Sequence, residues 1–481
     1  MDAPAGARAM KIKTRFAFGH KSNQLGGKRP GNRQASEPSH LPPSHLPPSH
    51  LPRCATTPPA HRGTTVELRT LYPFVAPPSL GVNGCYIGKE ASGGIFCFDP
   101  WECYANGSLT SPNMVVMGQI GRGKSAFVKS FLWRQKIFGR QCWAVDPKGE
   151  YGPLARALGA QPLALAPGLG LVLNPLEVAG SCLAAEAHRQ RSGLLATLLA
   201  SSLGRPLLPG ERAACDVALS RTEVETASPT LGLVAERLLN PDREAAASLG
   251  TDAEGLRADG RQVALELRRL VQGDLAGMFD GPTSPGADLA GGFVVLDLSR
   301  LYSSPALGLL MVCALSWLQS ALSAGAASAN PVKRLLVLDE AWAVLSHLET
   351  ARWLQAAFKL SRSYGVANVA VVHRVSDLRA AGDEGSERQR LAEGLLADAE
   401  TRVIFAQAPG EVDKAAGLLG LNRTETALVG QLPRGCALWR VGQRSYLVEH
   451  RLSAEELALA DTDEAMRDNP GELGGIPTGS A

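Results

Sequence analysis

The sequence predicts an α/β protein with a mostly parallel sheet, on three observations. Short apolar runs that read as buried strands recur: MVVM at 114–117, FVVLDLS at 293–299, RLLVLDE at 334–340 and NVAVVH at 368–373. Helical segments lie between them, the βαβ alternation that parallel strands require. A glycine-rich turn, Gly118–Ser125, joins the first run to a helical stretch. The chain has 481 residues, 45% of them hydrophobic and 20% charged, ample for a large core. Net charge is +3, but residues 1–70 hold 11 Lys and Arg against 3 Asp and Glu, so the body is mildly acidic. A basic bulk charge therefore gives no argument for nucleic-acid binding, and the 5% aromatic content announces no base-stacking surface.

Taken in order, residues 1–65 are expected to be a disordered, basic, Pro-rich tail. HLPPS recurs at His40 and His45 and again, truncated, at His50, and such a repeat has little to bury. Residues 66–112 read as a small β module ahead of the core, with CYIG at 85–88 and IFCFDP at 95–100. The core then runs through 113–179 and 286–450. It opens with strand, turn, helix and strand: MVVMG, QIGRGKS, AFVKSFLWRQKIFG and QCWAVDP. A third stretch, ALAPGLGLVLNPLE, closes this half. Residues 180–285 change to Leu, Ala, Arg and Glu at helical spacing, as in SGLLATLLASSLG and GRQVALELRRLVQG, which predicts an all-helical insert. TRVIFAQ at 401–407 adds a strand, and CALWRV-GQ-RSYLVEH reads as a hairpin. Residues 451–481 read as a flexible acidic and Gly-rich tail.

Leu301–Val332 carries no charge and is apolar from Leu307 to Leu318. A spanning helix needs about 20 mostly apolar residues. This run turns small and polar at Gln319 and lies between two strand-like runs, so a buried crossover helix is expected. The nine cysteines are scattered without a CxxC pair, so neither zinc nor disulfides are expected.

The chemistry is concentrated in two runs. Gly118-Gln119-Ile120-Gly121-Arg122-Gly123-Lys124-Ser125 fits GxxxxGK[ST], the phosphate-binding loop. Gly118, Gly121 and Gly123 let the backbone turn its N–H groups inward onto phosphate oxygens, with Arg122 and Ala126 on the same loop and helix start. The helix that follows presents its positive end. Lys124 is expected to reach the β- and γ-phosphates of ATP, and Ser125 to offer its hydroxyl to Mg²⁺. In RLLVLDE, four apolar residues form a buried strand whose carboxyl end carries Asp339 and Glu340, where open α/β sheets place ligands. Asp339 is assigned to Mg²⁺, and Glu340 to polarising the attacking water. Asp297 ends a similar strand with no following Glu and is assigned no catalysis.

With GQIGRGKS, VDPKGEYG (145–152), LNPLE (173–177), VLDEAW (337–342) and LSRSYG (360–365) in this order, the chain resembles the conjugal-transfer and type IV secretion ATPases. These are of the fourth-component VirB type, within the HerA–FtsK group of P-loop motors. Asp99-Pro100-Trp101 ahead of the loop resembles the actinobacterial form. The resemblance covers roughly residues 70–450. It implies a RecA-like core, a homo-oligomeric, hexameric ring, and ATP-driven movement of DNA or protein at a membrane secretion or conjugation machine. A cytoplasmic protein, peripheral on the inner face of the membrane, is what the resemblance implies. Carried over by position, Lys124 and Ser125 are the loop pair, and Asp339 and Glu340 the metal-side and catalytic carboxylates. Asp146 and Glu150 form the acidic strand-end motif beside the loop, and Arg362 is a finger toward a neighbour's ATP. Members of the group often end the next strand in a sensor Gln; here that position is His373, expected to face the γ-phosphate. A DNA translocase not tied to secretion and a non-hydrolysing assembly subunit are the alternative readings.

Overall fold

The computed structural model describes residues 80–178, 183–285, 287, 292–304, 307–326, 332–345, 348–373 and 386–461, all within one compact unit. The tail expected at 1–65 and the end of the chain after Asp461 lie outside the described residues.

The strands form one eleven-stranded sheet. In chain order they are β1 (Cys85–Glu90), β2 (Ile95–Phe98), β3 (Met114–Met117), β4 (Gln141–Asp146), β5 (Leu163–Ala164), β6 (Phe293–Asp297), β7 (Arg334–Leu338), β8 (Val366–Val372), β9 (Thr401–Phe405), β10 (Cys436–Val441) and β11 (Arg444–His450). Their spatial order is β2-β1-β11-β10-β9-β3-β8-β7-β4-β6-β5. From β9 to β5 every described pairing is parallel; from β9 to β2 every one is antiparallel. The sheet is therefore α/β and mostly parallel, as the apolar runs predict.

The small β module does not stand apart. β1 pairs with β11, through Gly88 opposite His450, and extends the sheet. Gly88 has to be a glycine, because a Cβ there would lie 2.0 Å from the Glu449 carbonyl oxygen. The stretch 164–177 is a strand only at β5; beyond it, Asn174 donates to the Pro229 carbonyl at 2.9 Å and receives Leu176 N–H at 3.0 Å. The stretch ends in an asparagine-centred turn.

Strand residues alternate between two cores, as the pleat requires. Met114 and Val116 of β3 face one side with Phe127, Phe131, Phe98 and Trp439. Val115 and Met117 face the other side with Leu194, Leu198, Val263 and Leu310. The first side is covered by α1 (Pro100–Ala105), α2 (Lys124–Gln135) and α3 (Gly152–Ala157). The second is covered by the helices of the expected insert, α4 (Ala184–Leu203), α5 (Pro209–Glu225), α6 (Leu231–Leu239), α7 (Arg243–Ser248) and α8 (Ala253–Arg269), with α9 (Leu307–Ala326), α10 (Trp342–Leu345) and α11 (Leu348–Leu360). Leu310 to Ala314 of α9 are fully buried. Among the described residues no helix is long and apolar enough to cross a membrane. After β8 come α12 (Glu387–Asp398), α13 (Pro409–Leu419), α14 (Arg423–Val429) and α15 (Ala454–Ala460). The last begins in the segment expected to be loose: Ser453 and Glu456 form a capping box, and Glu456 pairs with Arg134 of α2 at 2.6 Å.

Cys85, Cys97, Cys103, Cys142, Cys215 and Cys313 are free, buried thiols.

Candidate active site

The parallel neighbours β3, β8, β7 and β4 end on one edge of the sheet. This edge gathers Gly118–Ala126 after β3, His373 after β8, Asp339 and Glu340 after β7, and the turn carrying Lys148 and Glu150 after β4.

The loop after β3 needs its glycines for two separate reasons. Gly118 has φ 148°, and a Cβ on it would meet Phe405 Cβ at 2.6 Å, so β9 closes against the loop backbone. Gly123 has φ 107° and caps α2 with no side-chain acceptor. The first N–H groups of α2 therefore have no capping side chain among the described residues, the arrangement that suits an anion. Lys124 is buried and folded over its own loop, donating to the Gly118 carbonyl at 2.6 Å and to Gln119 at 3.1 Å. Burial lowers its pKa to about 8. Ser125 and Ala126 are half-buried at the start of the helix. Arg122 reaches Gln119 Oε1 at 3.3 Å, and its carbonyl accepts Gly435 N–H at 3.0 Å, so the run into β10 braces the loop. Beneath α2, His450 stacks on Phe127 at 4.7 Å and accepts from Trp439 Nε1 at 2.9 Å. Burial depresses its pKa to about 3 and keeps it neutral.

The two carboxylates after β7 differ sharply. Asp339 accepts Glu340 N–H at 2.9 Å and the Tyr151 hydroxyl at 3.2 Å. Burial, then the neighbouring charges of Glu340 and Glu150, raise its pKa. An acid held in excess negative charge is one that a cation would stabilise. Glu340 is the only described non-glycine residue with positive φ, 53°, a conformation that costs about 1–3 kcal/mol and is seldom kept without a reason. The segment is nonetheless tied on both sides, Asp339 N–H to the Val145 carbonyl at 3.3 Å and Ala341 N–H to Val371 at 3.2 Å. Both carboxylate oxygens of Glu340 are occupied. Oε1 receives His373 Nε2 at 2.5 Å and the Lys148 ammonium; Oε2 receives Trp342 Nε1. Burial alone would raise the pKa of Glu340, but hydrogen bonds from His373 and Lys148 bring it down to about 2.

Asp146 is buried, and its pKa is raised to about 6 by that burial. Its oxygens accept the N–H groups of Lys148 at 3.2 Å, Gly149 at 2.8 Å and Tyr151 at 2.8 Å. It shapes the turn that carries Lys148. Glu150 pairs with buried Lys129 at 3.5 Å.

The remaining two expected residues lie on opposite edges of the sheet. His373 bonds Glu340, with Lys148 Nζ 3.1 Å from the same Nε2, and its Nδ1 is buried without a hydrogen-bond partner. One nitrogen cannot both donate to Glu340 and accept from Lys148, so the arrangement fits the Nε2–H form donating to the carboxylate. Arg362 lies before β8, at the amino edge of the sheet opposite the phosphate loop. It is exposed and reaches only the Thr110 carbonyl, at 3.5 Å. It cannot serve this chain's own loop. Sequence reasoning missed Lys148, Trp342 and Tyr151, the partners of the two carboxylates. The signal was VDPKGEYG itself, whose lysine stands among the acids that drew attention.

The described chain shares its fold with VirB4 of Thermoanaerobacter pseudethanolicus, with a TM-score of 0.63 at 21% identity over 79% of this chain and 99% of that one. The bacterial conjugative coupling protein TrwBΔN70, in an unbound monoclinic form, superposes with a TM-score of 0.50 at 16% identity, covering 71% of this chain and 85% of its own. The plasmid coupling protein TrwB in complex with ADP and Mg²⁺ gives 0.50 at 17% identity over the same shares. No family model matches the chain, and no curated protein does. The likeness establishes a RecA-like α/β P-loop fold.

Proposed function

We propose that the chain is a Mg²⁺-dependent ATPase motor that powers transfer of DNA or protein in a conjugation-like or type IV secretion system. The observation that carries the ATPase is the meeting, on one sheet edge, of an uncapped helix start at Gly123–Lys124 with the Asp339–Glu340 pair. The assignment to secretion or conjugation rests on the motif order and on the VirB4 and TrwB folds. A ring of six copies, working at the cytoplasmic face of a membrane machine, belongs to the same proposal.

The site suits its substrate. The N–H groups at the start of α2 and the Lys124 ammonium would take the β- and γ-phosphates, Lys124 exchanging two backbone carbonyls for phosphate oxygens. Among the described residues no three His, Cys, Asp or Glu converge as a metal site. Mg²⁺ is usually held by one or two protein oxygens, water and phosphate. The Ser125 hydroxyl and the Asp339 carboxylate, with its surplus of negative neighbours, fit that donor set. When bound, the ion would neutralise charge on the transferring phosphoryl group. Glu340 is the residue to orient the attacking water, and His373 holds its carboxylate in place. Arg362, exposed on the opposite edge, would act only on a neighbouring subunit's nucleotide.

Glu340→Gln should bind ATP at least as tightly as the wild type and lose turnover by at least about 100-fold, because the carboxylate acts on water. Lys124→Ala should weaken binding itself. Wild-type hydrolysis by purified Glu340→Gln would sink the assignment.

A further inference from the structure

The mechanism above leaves one charged group unexplained. Lys148 contributes to the ion pair that closes over Glu340, yet no step uses it. Its backbone is fixed: Asp146 takes the N–H groups on either side of the turn, and Gly149, at φ 74°, packs so close to Ser299 that a Cβ would lie 3.0 Å from that side chain. Only the side chain is free to move. It is 28% exposed, whereas the Glu340 side chain beneath it is 1% exposed. The lysine thus forms the outer wall of the carboxylate and stands between it and solvent.

A glutamate in this state cannot orient water. Its oxygens are bonded to Lys148, His373 and Trp342, and none is left facing an open space. Of these partners, Trp342 and His373 are carried by the ends of the same strand pair, β7 and β8. Lys148 alone comes from another strand end, β4, on a flexible stem. It is carried on the same sheet edge as Lys124, whose charge it disfavours. Both lysines are thus within the rim that would receive one anion. In this structure Lys124 rests on loop carbonyls and Lys148 on Glu340.

We propose that Lys148 is a positioning residue that senses the terminal phosphate of ATP: it moves from Glu340 to the γ-phosphate and thereby releases the carboxylate for water. This rests on the ATPase reading. A diphosphate would end at the oxygens proposed for Lys124 and the α2 N-terminus, and the γ-phosphate would be the group offered to Lys148. ADP therefore leaves the Lys148–Glu340 pair closed, and ATP opens it. The strained backbone at Glu340 keeps the carboxylate at the strand end, where it faces the vacated volume once the lysine leaves. No bond is made or broken in this step; an ion pair to a carboxylate is exchanged for one to a phosphate.

The test is binding of the β,γ-imido analogue of ATP and of ADP, each with Mg²⁺, by calorimetry on the full chain. Lys148→Ala should weaken the ATP analogue by about tenfold or more, the range of a charged hydrogen bond, and change ADP by less than about twofold. Removing Lys148 leaves Glu340 buried with one partner fewer, which can impair folding. The pair Glu340→Gln and Glu340→Gln/Lys148→Ala removes that difficulty, since no buried charge is stranded. The same selective loss of the ATP analogue should appear between those two. Equal loss of both ligands, or loss of neither, in either comparison overturns the sensor role. If the wild-type chain binds neither nucleotide, or Lys124→Ala binds both as the wild type does, the ATPase reading itself fails. That result is distinct from a wild type that binds both while Lys148→Ala leaves their ratio unchanged.

Discussion

The parallel strands end in two rims built on different chemistry. At the carboxyl rim, side chains hold the two carboxylates: Lys148, His373 and Trp342 hold Glu340, and Tyr151 holds Asp339. At the amino rim, polar side chains mostly hold backbone. Trp101 Nε1 donates to the Gly365 carbonyl at 3.2 Å, Asn113 donates to Phe358 at 3.0 Å, and Asn113 Oδ1 accepts Asn368 N–H at 3.1 Å. Asp99 caps α1 through Trp101 and Glu102 N–H and also binds Arg140 at 2.9 Å, whose guanidinium lies 4.5 Å from the Trp101 ring centre. The amino-rim bonds tie the backbone of one segment to another and hold the fold together, whereas the carboxyl-rim ammonium groups, Lys124 on its loop carbonyls and Lys148 on Glu340, rest on partners that an anion can replace. The carboxyl rim is thus the place for chemistry, and the amino rim is a clamp. Arg362 is the exception on the amino rim, exposed and hardly bonded.

That exception gives the largest expected effect. An arginine supplied in trans is worth about 10³-fold or more in related NTPases. Arg362→Ala should therefore lose turnover on that scale while keeping nucleotide binding. Mixing it with Glu340→Gln should recover part of the rate, because some interfaces would then pair an intact Glu340 with an intact Arg362. No recovery, with mixed assemblies confirmed by native mass spectrometry, would return Arg362 to the clamp with its neighbours.

The clamp itself predicts a smaller effect of a different kind. Trp101 is buried, hydrogen-bonded and stacked. Trp101→Ala should cost about 3–5 kcal/mol of stability in urea unfolding, the range for a buried aromatic. It should leave the affinity for ADP within about twofold. A selective loss of nucleotide affinity at unchanged stability would show that the two rims are not separable.

How far the sequence reveals this arrangement depends on distance along the chain. The loop Gly118–Ser125 and the pair Asp339–Glu340 are legible because each is a local pattern of strand, turn and residue type. The parallel sheet is legible because buried parallel strands read as unbroken apolar runs. Pairing between remote segments is not. Nothing local tells that Cys85–Glu90 runs beside Arg444–His450, so the expected separate module is an edge of the main sheet. The same limit hides Lys148. Its pairing with Glu340 exists only because β4 lies next to β7, with Val145 opposite Leu338. Asp146 and Glu150 stand out in VDPKGEYG as acids near a phosphate site. One shapes the turn and the other pairs with Lys129. In ALAPGLGLVLNPLE, Leu165, Leu173 and Leu176 join the main core, yet only Ala164 finds a strand partner, another pairing that local pattern does not reveal.

Hydrogen–deuterium exchange of the full chain, with and without Mg²⁺ and the β,γ-imido analogue of ATP, compares the two rims in one measurement. Backbone N–H groups at the uncapped start of α2 have no side-chain acceptor to lose, so a bound phosphate should slow their exchange strongly. The account predicts protection of residues 118–126, a change in 339–342 as Glu340 is released, and no change in 99–105. Unchanged exchange at 118–126, or a response confined to 99–105, would contradict it.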